Sequence, residues 1–248
     1  MKPGVISKTF TILRAFTDEK SEWGVNELAR YLKMPVSSVH RLLATLKIEN
    51  ILEFSDQTEK YRMGSEFIRM SSIVSNNVDM KRYARPYIEE LATRIPHSVY
   101  LALYNPQHKK LAFVDSIQGS QGLQYVLEIG VLQPIHIAAS GKNILANLDQ
   151  DDISEIIDRE IEDDASKSQI RAELKKIKNE GYAKTFNERK EGALSIGAPI
   201  FDASQKVIGS IICVIPIGDY QEENEVEYIS NVKSAASNIS HLLGYIKK

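Results

Sequence analysis

The sequence predicts an α+β protein with an N-terminal winged helix-turn-helix and, behind it, a domain built on an antiparallel sheet. Three observations lead to this fold class. Apolar residues recur at helical spacing through most of the first 50 positions, whereas residues 52–63 alternate with a period of two. Beyond residue 97, several strand-like runs are separated by short turns, which favours antiparallel neighbours.

Three short helices are predicted before residue 50. The apolar stripe of the first is Ile6, Phe10, Leu13 and Phe16. Asn26 is expected to cap the second helix, and Pro35 to occupy the first turn of the third, which spans residues 35–49. Asn50 follows, where a residue that tolerates the left-handed conformation would end the helix.

A hairpin is predicted directly after these helices. Leu52 and Phe54 share one face of its first strand, and Tyr61 and Met63 share one face of its second. The polar residues 55–60 form the tip that joins them. Three helices followed by such a hairpin are typical of a winged helix-turn-helix, so residues 1–64 are predicted to be a DNA-binding domain.

The third helix has a polar side that faces away from its leucines. A recognition helix places its N-terminal residues in the major groove, where hydroxyls and arginine reach base edges or phosphates. Lysines and arginines beside the helix and on the wing would neutralise phosphates. The residues predicted to contact DNA are Lys33, Ser37, Ser38, His40, Arg41, Thr45, Lys60 and Arg62. The alternative, that each is a solvated surface residue, is weakened by the helix spacing and the hairpin taken together.

Residues 65–95 are predicted to be helical with a break near Pro86, and residues 65–80 to form a linker helix whose apolar face favours dimerisation. In the domain that follows, 81–248, strands are predicted at 98–104, 111–117, 124–128, 194–201 and 207–217. Helices are predicted at 140–147, 153–160, 168–180 and 222–245. Asn105-Pro106 and residues 202–205 are expected to be hairpin turns.

Composition limits the class of protein further. A length of 248 residues accommodates two domains, and the single cysteine, Cys213, excludes an internal disulfide framework and fits a reducing compartment. No secretory signal or long apolar run is present, so a cytoplasmic location is expected. The net charge is −2, but residues 1–70 carry 11 Lys and Arg against 9 Asp and Glu, a balance that permits DNA binding without demonstrating it.

Across almost its whole length the chain resembles the isocitrate lyase regulator (IclR) family of bacterial transcription factors. The likeness rests on PVSSVHRLL at 35–43, YRMG at 61–64, RPYIEEL at 85–91, PIH at 134–136, ASGK at 139–142, LA at 145–146, EGYA at 180–183, GALSIGAPIFD at 192–202 and the final amphipathic helix. The resemblance implies a dimerising linker helix and a GAF/profilin-like effector domain. It also implies palindromic operators, bound by dimers or dimers of dimers, and ligands that are small organic acids or aromatic metabolites.

The resemblance also implies where an effector would bind. The positions that correspond to the family's ligand pocket are Ala139, Ser140, Thr185, Ala193, Ser195, Ile212 and Val214. Free amides at the start of a helix attract an anion, so Ala139 and Ser140 are expected to bind a carboxylate. Ile212 and Val214 stand where organic-acid-binding members carry serines, which favours a ligand with an apolar or aromatic body. The alternative is that Ile212, Cys213 and Val214 are ordinary sheet core.

Other functions are less well supported by the residues. AASGKN at 138–143 lacks the first glycine and the final hydroxyl of a phosphate-binding loop, and the five histidines have no zinc-binding spacing. No catalytic residue, metal site or cofactor is therefore predicted. His136 is expected to form a hydrogen bond with neighbouring backbone. The role of Lys142 stays open. The expected function is a ligand-responsive regulator, a repressor by preference, with activation left open. Two other functions remain as alternatives: an enzyme built on the C-terminal domain, and a DNA-binding dimer that has lost its ligand response.

Overall fold

The computed structural model describes residues 4–70, 80–120 and 126–246, and the chain divides into two compact units, Met1–Val78 and Asp79–Lys248. The predicted linker, 65–80, spans this division. Its first residues, 65–70, are helical, and most of the remainder lies outside the described residues.

The N-terminal unit has three helices and a small antiparallel sheet. Its elements are α1 (Val5–Asp18), β1 (Glu22–Trp23), α2 (Val25–Tyr31), α3 (Val36–Ile48), β2 (Leu52–Ser55) and β3 (Lys60–Met63). The strand order is β1-β3-β2, so the predicted hairpin β2–β3 gains a short third strand that the sequence did not predict. This arrangement confirms the predicted winged helix-turn-helix.

The core of this unit forms where α3 packs on the other two helices and the sheet. Val39, Leu42, Leu43 and Leu46 make the buried stripe of α3. Trp23 is buried beside α1, and its indole N–H donates to the carbonyl oxygen of Ala15 at 3.0 Å. Burial of such side chains contributes about 1.5–3 kcal/mol each, which outweighs the modest helix propensity of these short segments.

The ends of the short helices differ in detail from the prediction. Gly24, not Asn26, is the N-cap of α2, because the Gly24 carbonyl accepts from the Leu28 amide at 2.9 Å. Pro35 is the N-cap of α3 and not a residue of its first turn. Asn50 has a φ of +55°, as predicted for the residue that ends α3. Gly64 lies close to this turn, where an added Cβ would be 2.3 Å from the carbonyl oxygen of Asn50.

The C-terminal unit is a six-stranded antiparallel sheet between two layers of helices. Its strands are β4 (Ser98–Asn105), β5 (Lys110–Ile117), β6 (Leu132–Pro134), β7 (Ala183–Phe186), β8 (Ala193–Phe201) and β9 (Val207–Pro216), in the order β6-β5-β4-β9-β8-β7. Its main helices are α4 (Met80–Arg94), α5 (Ala138–Leu145), α6 (Gln150–Glu160), α7 (Asp164–Glu180) and α8 (Glu225–Leu242). The α+β class with an antiparallel sheet is thereby confirmed.

The period-two pattern of the strands gives this unit two separate cores. Val99 and Leu101 of β4 pack with α4 and α8 on one face, while Tyr100 and Ala102 face the helices α5–α7 on the other. Both predicted hairpin turns are present, one between β4 and β5 and one at residues 202–205, where the Asp202 carboxylate accepts from the amide of Ser204 at 2.8 Å.

Three predictions for this unit are wrong or incomplete. Helix α4 continues through Pro86 without a break, because Ala84, Ile88 and Leu91 bury its face against the sheet and α8, which offsets the missing backbone bond. Residues 126–128 belong to no strand, and the rest of the predicted strand 124–128 lies outside the described residues. Strands β6 and β7 are only three and four residues long, too short for periodicity to reveal.

Within the described ranges, none of the helices has the length and apolar character needed to cross a bilayer.

Candidate functional site

Helix α3 presents a polar face opposite its buried leucines. Of the eight residues predicted to contact DNA, seven are exposed, and Ser38 is half-buried at the flank of the face. Ser37 and Arg41 are one turn apart, on the side opposite Val39 and Leu43. The sequence pattern therefore places hydroxyl and guanidinium groups on the surface where a groove-binding helix needs them.

Some of the predicted contact residues already form hydrogen bonds or ion pairs within the protein, and others do not. The Thr45 hydroxyl donates to the carbonyl oxygen of Arg41 at 3.0 Å, and on the wing the Arg62 guanidinium binds the Glu53 carboxylate at 3.2 Å. Among the described residues no acidic side chain pairs with Arg41, which leaves its guanidinium available to bases or phosphates. Lys33 has a φ of +52° in the turn between α2 and α3, and its side chain is exposed.

An open groove lies between α2, α3 and the hairpin, and it contains polar residues that sequence reasoning missed. His40 and Lys60 line it together with Asn26, Arg30 and Thr58. Asn26 and Arg30 are four residues apart on the exposed side of α2, a spacing that could have identified them as neighbours of the recognition helix.

The C-terminal unit contains a cavity between the sheet, the start of α5 and the loop that joins β7 to β8. Six of the seven predicted effector positions line it: Ser140, Thr185, Ala193, Ser195, Ile212 and Val214. Sheet register brings three of them into one row, because Ser195 of β8 pairs with Thr185 of β7 on one side and with Val214 of β9 on the other. As the side chains stand, the cavity has room for about one water molecule.

The seventh position, Ala139, lies at the start of α5 and does not line the cavity. Its amide donates to the Thr185 hydroxyl at 3.0 Å, and the preceding Ala138 amide donates to the Glu188 carboxylate at 2.8 Å. The expectation that the Ala139 amide is free to bind a carboxylate is therefore wrong, because the Thr185 side chain of β7 already binds it. For the Ser140 amide the same expectation stays a prediction. Ala138 adopts a left-handed φ of +62°, a strained conformation for alanine.

Lys142, whose role the sequence left open, is buried and paired. Its ammonium group is 2.6 Å from a Glu188 oxygen and 2.8 Å from a Glu173 oxygen. Only 8% of its side chain is exposed, whereas the two carboxylates are partly exposed. Lys142 therefore connects α5, α7 and the loop that carries Glu188.

Arg189, beside Glu188, is a cavity-lining cation that the sequence did not single out. Its guanidinium donates to the side-chain oxygen of Gln133 at 3.1 Å and to the carbonyl oxygens of Pro134 and Ile137 at 2.9 and 2.8 Å. Its Nε–H is buried and has no hydrogen-bond partner in the described part of the chain. Burial lowers the pKa of Arg189 to about 10, so the group stays charged at neutral pH.

His136 does not have the role predicted for it. Its Nδ1 is buried without a hydrogen-bond partner among the described residues, and the nearest carboxylate oxygen, Glu160 Oε2, is 3.9 Å away. The predicted bond to neighbouring backbone is thus wrong, because the ring forms no such bond with the described residues. Cys213 is fully buried, as predicted, and burial raises the pKa of its thiol.

We expect His136 to make the C-terminal unit less stable in mild acid. Burial lowers the pKa of His136, an effect that the attraction of Glu160 only partly opposes. The unfolded chain binds this proton at the ordinary pKa of 6.5 and the folded chain only at lower pH, so stability is lost as pH falls below that value. Urea midpoints at pH 7.5 and 5 should therefore differ less in His136→Gln than in the natural chain. The exposed His108→Gln should keep the full difference, and an unchanged difference in His136→Gln would contradict the assignment.

No group of three or more His, Cys, Asp or Glu side chains lies close enough to hold a metal ion in the described ranges.

Comparison with known proteins identifies both units. Residues 5–55 match the IclR helix-turn-helix domain, and residues 72–241 match the bacterial transcriptional regulator IclR C-terminal domain. The regulator KdgR of Dickeya chrysanthemi is 27% identical over 246 residues, which are 97% of this chain and 80% of that protein. The relatives are DNA-binding transcriptional regulators and not enzymes.

Solved structures share the fold along the whole chain. An IclR transcriptional regulator from Silicibacter sp. TM1040 superposes with a TM-score of 0.81 at 21% identity, covering 99% of this chain and 98% of that one. The repressor BlcR of Agobacterium tumefaciens gives 0.70 at 22% identity, with 98% of each chain covered. An IclR homologue from Microbacterium hydrocarbonoxydans, solved with 4-hydroxybenzoate, gives 0.58 at 19% identity, covering 97% of this chain and 99% of that one.

Proposed function

Because the chain belongs to the IclR family of bacterial transcriptional regulators, we propose that it is a cytoplasmic repressor that binds a palindromic operator and senses a small organic or aromatic acid. The observation that carries the proposal is the exposed hydroxyl-and-arginine face of α3 opposite its buried leucine stripe. The assignment as a repressor is in keeping with the name of BlcR.

The proposed DNA contacts fall into two groups. Ser37, Ser38, His40, Arg41 and Thr45 would read base edges or adjoining phosphates from α3. Lys33, Lys60 and Arg62 would contact phosphates, Arg62 less strongly because it is already paired with Glu53. A palindromic operator requires two such helices, so the active form is proposed to be a homodimer or a dimer of dimers, joined through the linker helix 65–80.

The effector is proposed to bind in the cavity of the C-terminal domain, 81–248. Six of the seven positions expected from the family converge there, and Ile212 and Val214 make part of its lining apolar. The Microbacterium homologue solved with 4-hydroxybenzoate supports an aromatic acid as the kind of ligand. An effector acts only through different affinities for the DNA-bound and DNA-free forms. The proposed effector prefers the DNA-free form, and the expected response is therefore release of the operator.

A second candidate is a dimer that binds DNA without responding to a ligand. The small size of the cavity favours it, because ligand pockets have volumes of about 300 Å³ or more, whereas this cavity has room for about one water molecule. Side chains around the cavity would have to move apart before such a ligand could enter.

Selection of DNA by the purified full-length chain tests the proposal. Duplexes recovered from fragmented genomic DNA should share an inverted repeat, and acids titrated onto the complex should lower its affinity for that repeat. A shared repeat with no response to any acid would support the second candidate. Failure to retain any duplex at low salt would contradict both.

A further inference from the structure

Arg189 is a half-buried cation of the effector cavity, and its three hydrogen bonds all go to neutral oxygens. These acceptors are the Gln133 side chain and the carbonyls of Pro134 and Ile137, so the bonds fix the guanidinium in place without neutralising it. The neighbouring Glu188 carboxylate attracts the guanidinium by charge but forms no ion pair with it in the described part of the chain. Its Nε–H is a fourth donor, buried and without a partner in the described part of the chain. A fixed, partly desolvated guanidinium with a donor to spare attracts an anion strongly.

The start of α5, where the sequence placed the anion, is a poorer site. The Glu188 carboxylate accepts from the Ala138 amide and binds Lys142, and the Thr185 hydroxyl accepts from the Ala139 amide. A ligand carboxylate arriving there would have to displace Glu188 or lie against it, and the repulsion between two carboxylates would oppose this.

Apolar side chains complete the cavity around Arg189. Phe113, Leu127, Ile212 and Val214 line it, and the ring of Phe113 lies 5.9 Å from the Arg189 guanidinium carbon. Such walls bind a hydrocarbon or aromatic body and offer it no hydrogen bond. The cavity therefore sets these apolar walls beside Arg189, while the rest of its lining is mixed and includes the polar or charged Ser140, Thr185, Ser195, Glu188 and Lys190.

We propose that Arg189 binds the carboxylate of the effector, with the apolar body of the effector packed among Phe113, Leu127, Ile212 and Val214. This inference rests on the proposed function, since it assigns the recognition of the effector to a residue that sequence reasoning did not select. Charge-assisted bonds to a half-buried guanidinium discriminate a carboxylate from its neutral amide, which has the same shape.

A purely structural role for Arg189, holding residues 134–137 in place, is the rival explanation. The two roles predict different changes in one measurable quantity, the ratio of the affinities for an acid and for its matching amide. If Arg189 only supports the cavity, its removal weakens an acid and the matching amide equally. If it binds the carboxylate, its removal weakens the acid alone, so the ratio of their affinities falls.

The experiment uses benzoate with benzamide and phenylacetate with phenylacetamide, titrated calorimetrically into the full-length chain. In the natural chain we expect each acid that binds to be preferred over its amide at least tenfold. In Arg189→Gln the preference should fall to about twofold or less, and in Arg189→Lys it should be intermediate, because lysine keeps the charge but not the fork of donors. Arg171→Gln, an exposed arginine on α7 outside the cavity, should keep the full preference.

Three outcomes would overturn the proposal. The preference could persist in Arg189→Gln, which would leave Arg189 a structural role. It could persist there and increase in Glu188→Ala, which would place the carboxylate at the start of α5. In the third outcome, the natural chain binds neither benzoate nor phenylacetate at acid concentrations up to about 20 mM. Operator binding by the same variants, measured separately, distinguishes these outcomes from failure of the proposed function, because the inference can be wrong while every variant still binds DNA.

Discussion

Replacing Arg41 with alanine is expected to weaken operator binding by about 1–3 kcal/mol, with no loss of folded structure. Arg41 lies on the exposed face of α3, one turn after Ser37, and no acidic side chain of the described residues neutralises it. Its guanidinium can therefore form two parallel hydrogen bonds with a guanine edge or bind a phosphate. Fluorescence anisotropy with the selected duplex, at one fixed salt concentration, measures the effect.

The salt dependence shows which kind of contact Arg41 makes. If Arg41 contacts a base, the loss of affinity should be largest on the selected duplex and small on unrelated DNA. If it binds a phosphate, the loss of affinity should be similar on both, and the slope of log affinity against log salt concentration should decrease by about one. Arg14→Ala, an exposed arginine on α1, is the matched control and should leave affinity unchanged. Unchanged affinity in a folded Arg41→Ala chain would remove Arg41 from the contact surface.

Replacing Lys142 with methionine is expected to cause the largest loss of stability, about 2–3 kcal/mol in the unfolding of the C-terminal unit. The buried ammonium group holds Glu173 and Glu188 together, and its removal leaves two carboxylates facing each other across the start of α5. The expected loss is smaller than the roughly 3–5 kcal/mol typical of a broken buried ion pair, because both carboxylates are partly exposed. Urea unfolding followed by circular dichroism measures it.

A second variant separates repulsion between the carboxylates from lost packing. The double variant Lys142→Met with Glu188→Gln removes one of the two facing charges. Its loss in free energy of unfolding should therefore be about half that of Lys142→Met alone. Lys176→Met, on the exposed side of α7 with 72% of its side chain exposed, should change stability by less than about 0.5 kcal/mol. Equal stabilities for Lys142→Met and Lys176→Met would show that the three-residue cluster contributes nothing.

Most of the fold could be predicted from the sequence because each unit repeats a simple pattern. The buried stripe of α3 and the alternation along β4 follow from helical and strand periods, and turn residues such as Asp202 fix the hairpins. The failures occur where long-range packing overrides a local rule. Helix α4 tolerates Pro86 because of what it packs against, which is not visible in the local sequence.

The candidate sites were predictable to different degrees. The polar face of α3 follows from helical spacing alone. The effector positions came from family resemblance, and the sheet register explains why Thr185, Ser195 and Val214 meet. The roles of Glu188 and Arg189 could not be predicted, because they depend on how a loop folds back onto the start of α5, some 50 residues earlier in the chain.

Site-directed crosslinking from α3 tests the central claim most directly. Cys213 is fully buried, so a cysteine introduced as Ser37→Cys can be labelled selectively with a photoreactive group in the folded chain. On the selected duplex, the label should crosslink to bases at two positions related by the symmetry of the repeat, whereas the same label at the exposed Ser7 of α1 should give no such pair. The absence of base crosslinks from position 37, with the duplex bound, would show that another surface of the protein reads the DNA.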